Sequence, residues 1–246
     1  SNTTYYLRKD GNDDNDGLSE EFAFATWDRM HKELRTIDGA GYFLVINLGA
    51  GIWENRFDFD GRECIGFIGI QLEGQGDSTV IAQVNNHGIF IGHSSVYVFI
   101  RNLKISGAKF AIYSQLGGEV NINGPITITG VERCIFAYFG GFVHLSNGAT
   151  LTIADNPSCT LVIGTHYGAF FETAAGTSVV LTGTNAGTQF ARVQWNAQIN
   201  IQPGTTLSGT FTGKKYTVSH GGLLGLNGIT LPGTVAGTSV APGFVG

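Results

Sequence analysis

Hydrophobic and polar residues alternate with a period of two along most of this chain. In the stretch 88–130, Val96, Val98 and Ile100 alternate with Tyr97, Phe99 and Arg101. Val120 and Ile122 repeat the alternation, Gly124-Pro125 breaks it, and Ile126 and Ile128 resume it. Short alternating runs that are split by Gly, Asn and Pro predict half-buried strands joined by tight turns.

The same pair of inward aliphatic residues recurs before a turn. The pairs begin at Val120, Val143, Val179, Ile199 and Leu224, which are 23, 36, 20 and 25 residues apart. A repeat of this length with several strands predicts a solenoid, and the Leu and Asn pattern of leucine-rich repeats is missing. We therefore predict an all-β fold, a single-stranded right-handed parallel β-helix, with these five residues in one interior column.

One segment has helical periodicity. Its apolar residues are Phe24, Trp27, Met30, Leu34 and Ile37. Thr26 is a suitable N-cap, and Asp38-Gly39 would end the helix. Because the first rung of a solenoid exposes apolar side chains and strand edges, we expect this short helix to cap the N-terminal end.

This pattern divides the chain into three parts. Residues 1–41 hold a strand, an acidic turn and the capping helix, residues 42–231 hold the rungs, and residues 232–246 form a tail. The 36-residue spacing between Val143 and Val179 is too long for one rung, and the additional residues fall at 154–168. We predict an enlarged turn there, which could carry binding residues; the alternative is an extra strand pair at 160–163.

Composition excludes several classes of protein. The net charge of -5 and a charged fraction of 13% argue against a nucleic-acid partner. No run of about 18 apolar residues occurs, so we expect no membrane insertion. The 37 glycines suit a β-solenoid.

No metal or cofactor is predicted. The acidic turn 10–17 places Asn12, Asp14, Asp16 and Gly17 at calcium-loop positions, but Ala23 stands where a bidentate Glu is required. A solvated turn with Asx hydrogen bonds fits better. No zinc spacing or phosphate loop is present. The three cysteines, Cys64, Cys134 and Cys159, are expected to be free thiols in the core.

Both ends of the chain resemble a known group. Tyr5-Tyr6, the turn DGNDDNDG and the following FAFATWDRM are similar to the start of pectate-lyase-like right-handed β-helix proteins, in particular of phage or prophage tail-spike and tail-fibre proteins. The segment 231–237 resembles the terminus of phage structural proteins. The resemblance implies a homotrimer that attaches to bacterial surface polysaccharide, cleaves it in some relatives, and is located in the virion or outside the cell.

Carboxylates are the natural candidates for polysaccharide cleavage. Asp58 and Asp60 are two positions apart on one strand, so they should point outward about 6.5–7 Å apart, near the low end of the inverting range. Asp155 lies in the predicted enlarged turn and Glu172 follows soon after it, and these two are the next candidates. Glu119 and Glu132 come from other rungs and could converge with them.

Outward aromatic residues are the candidates for binding. They are Tyr97, Phe99, Tyr138, Phe142, Tyr167 and Trp195. Such residues stack on sugars or are buried against another chain, although a register error of one residue would put them inside. The leading interpretation is a tail-spike or fibre-type protein that binds bacterial polysaccharide. The alternatives are a polysaccharide depolymerase (hydrolase or lyase) and a purely structural shaft segment.

Overall fold

The computed structural model confirms the predicted fold class. The chain is all-β and forms a parallel β-solenoid of about 7 turns, consistent with a right-handed β-helix, with one short helix near the N-terminus. The structure describes residues 3–37, 39, 41–60, 66–84, 86–93 and 97–246.

Each complete turn of the chain supplies strands to three faces, which we name A, B and C. Face A is a ten-stranded sheet. Faces B and C are two ladders of a thirteen-stranded sheet. They join in two long strands, Thr150–His166 and Ser178–Gln194, because the first part of each lies on face B and the last part on face C.

The remaining strands fall on one face each. Face A consists of Thr3–Leu7, Phe43–Leu48, Gly69–Glu73, Tyr97–Arg101, Glu119–Ile122, Phe142–Leu145, Phe170–Thr173, Gln198–Ile201, Leu223–Gly225 and Phe244–Val245. Face B has Gly51–Trp53, Thr79–Ala82, Leu103–Ser106, Ile126–Thr129 and Thr206–Ser208. Face C has Phe57–Asp60, His87–Gly92, Phe110–Gln115, Arg133–Tyr138, Thr212–Ser219 and Thr238–Ser239. A 3-10 turn at Gly76–Ser78 precedes the second strand of face B.

The interior is built from aligned columns of apolar side chains. On face A, Val120 pairs with Val143, and further along the rod Ile199 pairs with Leu224. All four residues are buried. The predicted alternation also holds at Val98 and Ile100, whereas Val96 lies outside the described residues.

One member of the predicted column is wrong. Phe171, not Val179, stands between Val143 and Ile199. Val179 is buried on face B, where it pairs with Leu151 and Leu207. The sequence pattern hid Phe171 because the next inward position is Thr173 rather than an aliphatic residue.

Threonine at this inward position is stable because its hydroxyl has a partner. Thr173 Oγ1 lies 2.7 Å from Thr205 Oγ1, and both residues are buried. A buried hydroxyl that is hydrogen-bonded avoids the desolvation cost of an unpaired one.

The enlarged turn predicted at 154–168 is also wrong. Residues 154–166 continue the strand Thr150–His166, with register shifts near Asn156, and Tyr167 and Gly168 form the turn that follows. The alternative, a strand at 160–163, is confirmed. Asn156 is buried at the corner between faces B and C, where its Oδ1 accepts a hydrogen bond from Val131 N at 2.7 Å and its Nδ2 donates to Ile128 O at 3.2 Å.

The helix covers Trp27–Leu34, shorter than predicted, and Thr26 is its N-cap. Its inner side chains, Trp27, Met30 and Leu34, are buried. The Trp27 ring packs on Phe57 at 4.3 Å, so the helix covers the first rung of face C. Asp38, predicted to end the helix, lies outside the described residues.

The acidic turn fixes this helix. As predicted, Asx hydrogen bonds form: Asn12 Oδ1 accepts from Asp14 N, and Asp16 Oδ1 accepts from Leu18 N. The sequence did not single out Asp13, whose Oδ1 accepts hydrogen bonds from Ala25 N at 2.9 Å and Thr26 N at 3.0 Å.

Two of the three cysteines are free core thiols, as predicted. Cys134 and Cys159 are buried and unlinked, and their sulfur atoms are 3.7 Å apart. Cys64 lies outside the described residues.

Candidate functional site

The first carboxylate pair lies on the outer surface of face C. Phe57 and Phe59 are buried, and Asp58 and Asp60 alternate with them on the outside. Asp58 Oδ2 accepts a 2.5 Å ion-pair contact from Arg56, while Asp58 Oδ1 is buried without a hydrogen-bond partner. His93 Nδ1 lies 3.4 Å from Asp60 Oδ2.

The other two catalytic candidates lie elsewhere. Asp155 is at the corner between faces B and C, where it accepts a hydrogen bond from Thr184 N at 3.1 Å. Glu172 is on face A and accepts hydrogen bonds from Asn200 at 3.1 Å and Gln202 at 2.6 Å, with His144 at 3.9 Å. The structure therefore does not bring Asp155 and Glu172 together with the Asp58 and Asp60 pair.

The remaining sequence candidates do not join them either. Glu119 is on face A in a different column from Glu172, and Glu132 precedes the face C strand Arg133–Tyr138. His144 and His166, which are spaced by about one rung, lie on faces A and C and do not stack.

The six aromatic candidates separate into two groups. Tyr97, Phe99 and Phe142 lie on the outer surface of face A. Phe142 stacks on Phe170 of the next rung at 5.1 Å, and Phe99 packs on Phe43 at 5.3 Å. The other three, Tyr138, Tyr167 and Trp195, meet where face C ends and face A begins.

At this corner, rings from successive rungs form a stack that we name the aromatic ladder: Phe139, Tyr167, Trp195 and His220. The ring centroids are 4.8, 5.5 and 4.0 Å apart in that order, with interplanar angles of 22°, 6° and 19°. Phe139, Tyr167 and Trp195 are 47%, 39% and 41% exposed. The ladder is therefore a surface feature rather than an extension of the core.

The backbone at every ladder position is left-handed. The φ angles are 43° at Phe139, 54° at Tyr167, 59° at Trp195 and 52° at His220. Each turn needs this conformation to pass from face C to face A within a few residues. Glycine adopts it at no steric cost, whereas a residue with a Cβ pays on the order of 1–2 kcal/mol. The chain nevertheless has bulky rings at these positions.

A second set of rings covers face C beside the ladder. It contains His87, Phe90, Phe110, Tyr113, Phe136 and Tyr138, each in contact with another member. Tyr138 contacts Phe139 at 4.3 Å and Tyr167 at 5.1 Å. The two sets are thus continuous, and we call the whole group the aromatic belt, in which Phe110 and Phe136 are buried and the ladder rings are exposed.

Burial on face C sets the protonation of the belt. Burial and the nearby Tyr138 raise the pKa of Tyr113 to about 12. Burial, with Arg56 and Lys109, lowers the pKa of His87 to about 4. Burial, with Arg192 and Arg133, lowers the pKa of His166 to about 4. At neutral pH these three side chains are uncharged, so none of them adds charge to the belt; His166 contacts the belt through Phe136 and Tyr138.

Several belt residues were not identified from the sequence. Neither Phe139 nor His220 was among the predicted binding residues. A signal was available: Leu116, Phe139, Tyr167 and His220 each precede a glycine with positive φ. A bulky residue followed by Gly at rung spacing therefore marks this corner.

Neither a metal site nor a membrane span emerges from the described ranges. They contain no group of three or more His, Cys, Asp or Glu side chains placed to hold a metal ion. No helix there is long and apolar enough to span a membrane. Compared with known proteins, the chain matches no protein-family model, no curated protein and no solved structure.

Proposed function

We propose that the protein binds an extended polysaccharide along the aromatic belt. The observation that carries the proposal is the aromatic ladder, where Phe139, Tyr167 and Trp195 hold exposed rings on left-handed backbone. Backbone strain of this kind concentrates at functional sites. Exposed aromatic surface on a soluble protein is typical of an interaction site.

A repeating polymer fits a repeating surface. Successive rungs are about 4.8 Å apart, so the belt presents similar rings at regular intervals along the rod. The C–H groups of sugar rings pack on aromatic surfaces, and their hydroxyls can bond the polar groups beside the belt. Several weak contacts on one chain add up to useful affinity, because each contact after the first is intramolecular.

The biological setting that we propose is a phage or prophage tail spike or fibre, in the virion or outside the cell, attached to bacterial surface polysaccharide. Its support is the sequence resemblance at residues 5–30 and 231–237, together with the solenoid itself. A rigid rod with short rungs suits the display of a binding strip.

A glycan screen tests this proposal. Purified protein is applied to an array of bacterial capsules and O-antigens, and binding is compared with that of Tyr167→Gly. Leu116→Gly is the matched control, since Leu116 has the same left-handed backbone (φ 51°) at the same corner but no ring. We expect binding that falls at least about tenfold in Tyr167→Gly, the effect of losing about 1.4 kcal/mol, and persists in Leu116→Gly. If nothing on the array binds, the shaft interpretation replaces this one.

A depolymerase is the second candidate, and Asp58 favours it. Its Oδ1 is buried without a hydrogen-bond partner, and its Oδ2 contacts Arg56. Asp58 and Asp60 also lie on the same outer side of one strand, and a pair of carboxylates is what hydrolysis of a glycosidic bond requires. If a bound glycan is also cleaved, Asp58→Asn and Asp60→Asn should each reduce release of reducing ends at least about a hundredfold. Full activity of both variants would move the search to Asp155 and Glu172.

A homotrimer that buries the outer surface of face A is also proposed. One outward column there carries Tyr97, Phe142, Phe170, Leu223 and Phe244. Tyr97, Leu223 and Phe244 are exposed, and a threefold bundle would cover them through one repeated contact. Light scattering decides: a mass of three chains supports the trimer, and a stable monomer at micromolar concentration contradicts it.

A further inference from the structure

Face C has cations but no carboxylates over most of its length. From Phe110–Gln115 onward, its successive paired segments are 110–115, 133–138, 161–166, 189–194 and 212–219. These segments contain Arg133, Arg192, Lys214 and Lys215 and no Asp or Glu. The acidic residues of this face, Asp58 and Asp60, are on its first strand. The chain as a whole is acidic, so this distribution is a local feature.

Arg133 lies over two rings of the aromatic belt. Its guanidinium carbon is 4.7 Å from the ring centroid of Phe110 and 5.6 Å from that of Phe136. Its one ion pair with a described residue is the contact with the adjacent Glu132 at 3.4 Å. Stacking on rings holds the guanidinium in place and leaves its N–H groups available at the edges.

Arg192 is held by a neutral side chain. Gln189 is buried, and with its amide oxygen facing the guanidinium it accepts hydrogen bonds from Arg192 Nε at 2.6 Å and Nη2 at 3.1 Å. Its amide nitrogen then donates to Thr217 Oγ1 at 2.6 Å. Among the described residues no carboxylate pairs with Arg192. The guanidinium is therefore oriented but not neutralised.

The surface between the two arginines is filled by the Phe136 and Leu161 side chains, which are buried. Phe136, Gly164 and Arg192 occupy one outward column on successive rungs. A Cβ atom on Gly164 would lie 2.6 Å from the Phe136 ring and 2.3 Å from Leu161, so the position accepts no side chain. Burial lowers the pKa of Arg192, and the nearby Arg133 lowers it further.

We propose that the ligand of the aromatic belt is an acidic polysaccharide whose carboxylate groups bind Arg133 and Arg192. This inference rests on the proposed function and adds the class of glycan. The belt supplies the contact with sugar C–H groups, and the carboxylates of the ligand supply the negative charge that this face lacks beside the two guanidinium groups. Guanidinium groups bind carboxylates through paired, charge-assisted hydrogen bonds, and prior orientation by Gln189 and by the rings reduces the entropy lost on binding.

The test compares each polysaccharide with its own uncharged form. The panel contains hyaluronate, polysialic acid and the uronic-acid capsules of the glycan array, each native and with carboxyl groups reduced to alcohols, together with neutral dextran. Binding is measured for the natural protein, Arg192→Gln, Arg133→Gln and Lys104→Gln. The last is the matched control, because Lys104 lies on face B and its loss changes the net charge equally.

The expected result is a native acidic polysaccharide that binds at least about tenfold more tightly than its reduced form. Arg192→Gln and Arg133→Gln should remove most of that difference, and Lys104→Gln should not. The pKa of His166 can be measured by a pH titration followed in ¹H–¹⁵N spectra. It should be higher with the polymer bound, because the added carboxylates offset the field of the two arginines.

Three outcomes contradict the inference. If native and reduced polymers bind equally and Tyr167→Gly still abolishes binding, the belt binds glycans but not through carboxylates, and the proposed function survives. If all three charge variants lose affinity equally, the attraction is general rather than local. If single-stranded DNA binds more tightly than every polysaccharide, the cations and rings serve a nucleic acid, and the proposed function fails with the inference.

Discussion

The indole of Trp195 stacks on the ring of Tyr167 from the preceding rung, with centroids 5.5 Å apart and planes 6° from parallel. Such a pair contributes about 0.5–1.5 kcal/mol beyond burial. The left-handed backbone beneath each ring costs on the order of 1–2 kcal/mol. The two quantities are similar, so the stacking itself does little more than offset the strain. The exposed surface that the rings form gives them a functional reason.

Two substitutions of Trp195 separate strain from stacking. Trp195→Ala keeps the left-handed strain and loses the contacts with Tyr167 and His220, so it should destabilise the fold by about 1 kcal/mol or more. Trp195→Gly loses the same contacts but relieves the strain, so its free energy of unfolding should exceed that of the alanine variant by about 1 kcal/mol. Urea unfolding measures both. A glycine variant less stable than the alanine variant would contradict left-handed strain at this position.

The interior column of face A gives a sharp contrast between neighbours. Phe171 is buried, and Phe170 beside it points outward. Phe171→Asp places an unpaired charge in the core, and no soluble folded protein is expected. Phe170→Ser should fold, with a loss below about 1.5 kcal/mol from its stacking with Phe142. Expression and circular dichroism show the outcome, and an unchanged melting temperature for Phe171→Asp would disprove the register.

The buried asparagine at the corner of faces B and C is expected to matter more than its size suggests. Asn156→Leu keeps the branching of the side chain at Cγ but leaves Val131 N and Ile128 O without their partner. Each unpaired buried group costs about 1–3 kcal/mol. Asn147→Leu, at an exposed turn, is the control and should change stability little. Equal midpoints of the two variants in chemical denaturation would argue against the hydrogen-bond role of Asn156.

Acid should weaken the fold through two histidines of face C. The pKa values of His87 and His166 are about 4, against 6.5 for an ordinary histidine. Between those values the unfolded chain binds protons that the folded protein does not, so the free energy of unfolding falls as the pH drops from about 6.5 to about 4. Above pH 7 neither histidine contributes to the slope.

The double variant His87→Gln, His166→Gln measures that contribution. Its unfolding free energy should decline less steeply than that of the natural protein over the same pH interval, because the carboxylates titrate in both. Parallel curves for the two proteins would show that these histidines are not buried in neutral form.

The sequence was enough for the architecture and for the direction of most side chains, because the period of two places alternate residues on opposite sides of a strand. The prediction failed where an inward residue was polar but hydrogen-bonded, as at Thr173. It also failed where a strand continued around a corner without a turn residue, as at Asn156. Which residues share a face depends on how many residues each corner uses. That number varies between rungs, and so the separation of Glu172 from Asp58 could not be foreseen.

The aromatic candidates show the same limit. Tyr138, Tyr167 and Trp195 were recognised as outward residues, but their meeting with Phe139 and His220 depends on rung alignment. The phage-type function, the trimer and the catalytic role of the carboxylates stay predictions. Each depends on a partner chain or a substrate, and the structure of one chain contains neither.

Tryptophan fluorescence tests the central claim, that the aromatic ladder binds polysaccharide, most directly. Of the three tryptophans, Trp27 and Trp53 are 2% and 0% exposed, whereas Trp195 is 41% exposed. Collisional quenching by acrylamide therefore reports mainly on Trp195. The polysaccharide that binds most tightly in the array screen should lower the quenching constant as it saturates the protein, by covering the ladder. If the saturated complex, verified by co-sedimentation, is quenched as strongly as the free protein, then the glycan binds elsewhere and the ladder is not the binding surface.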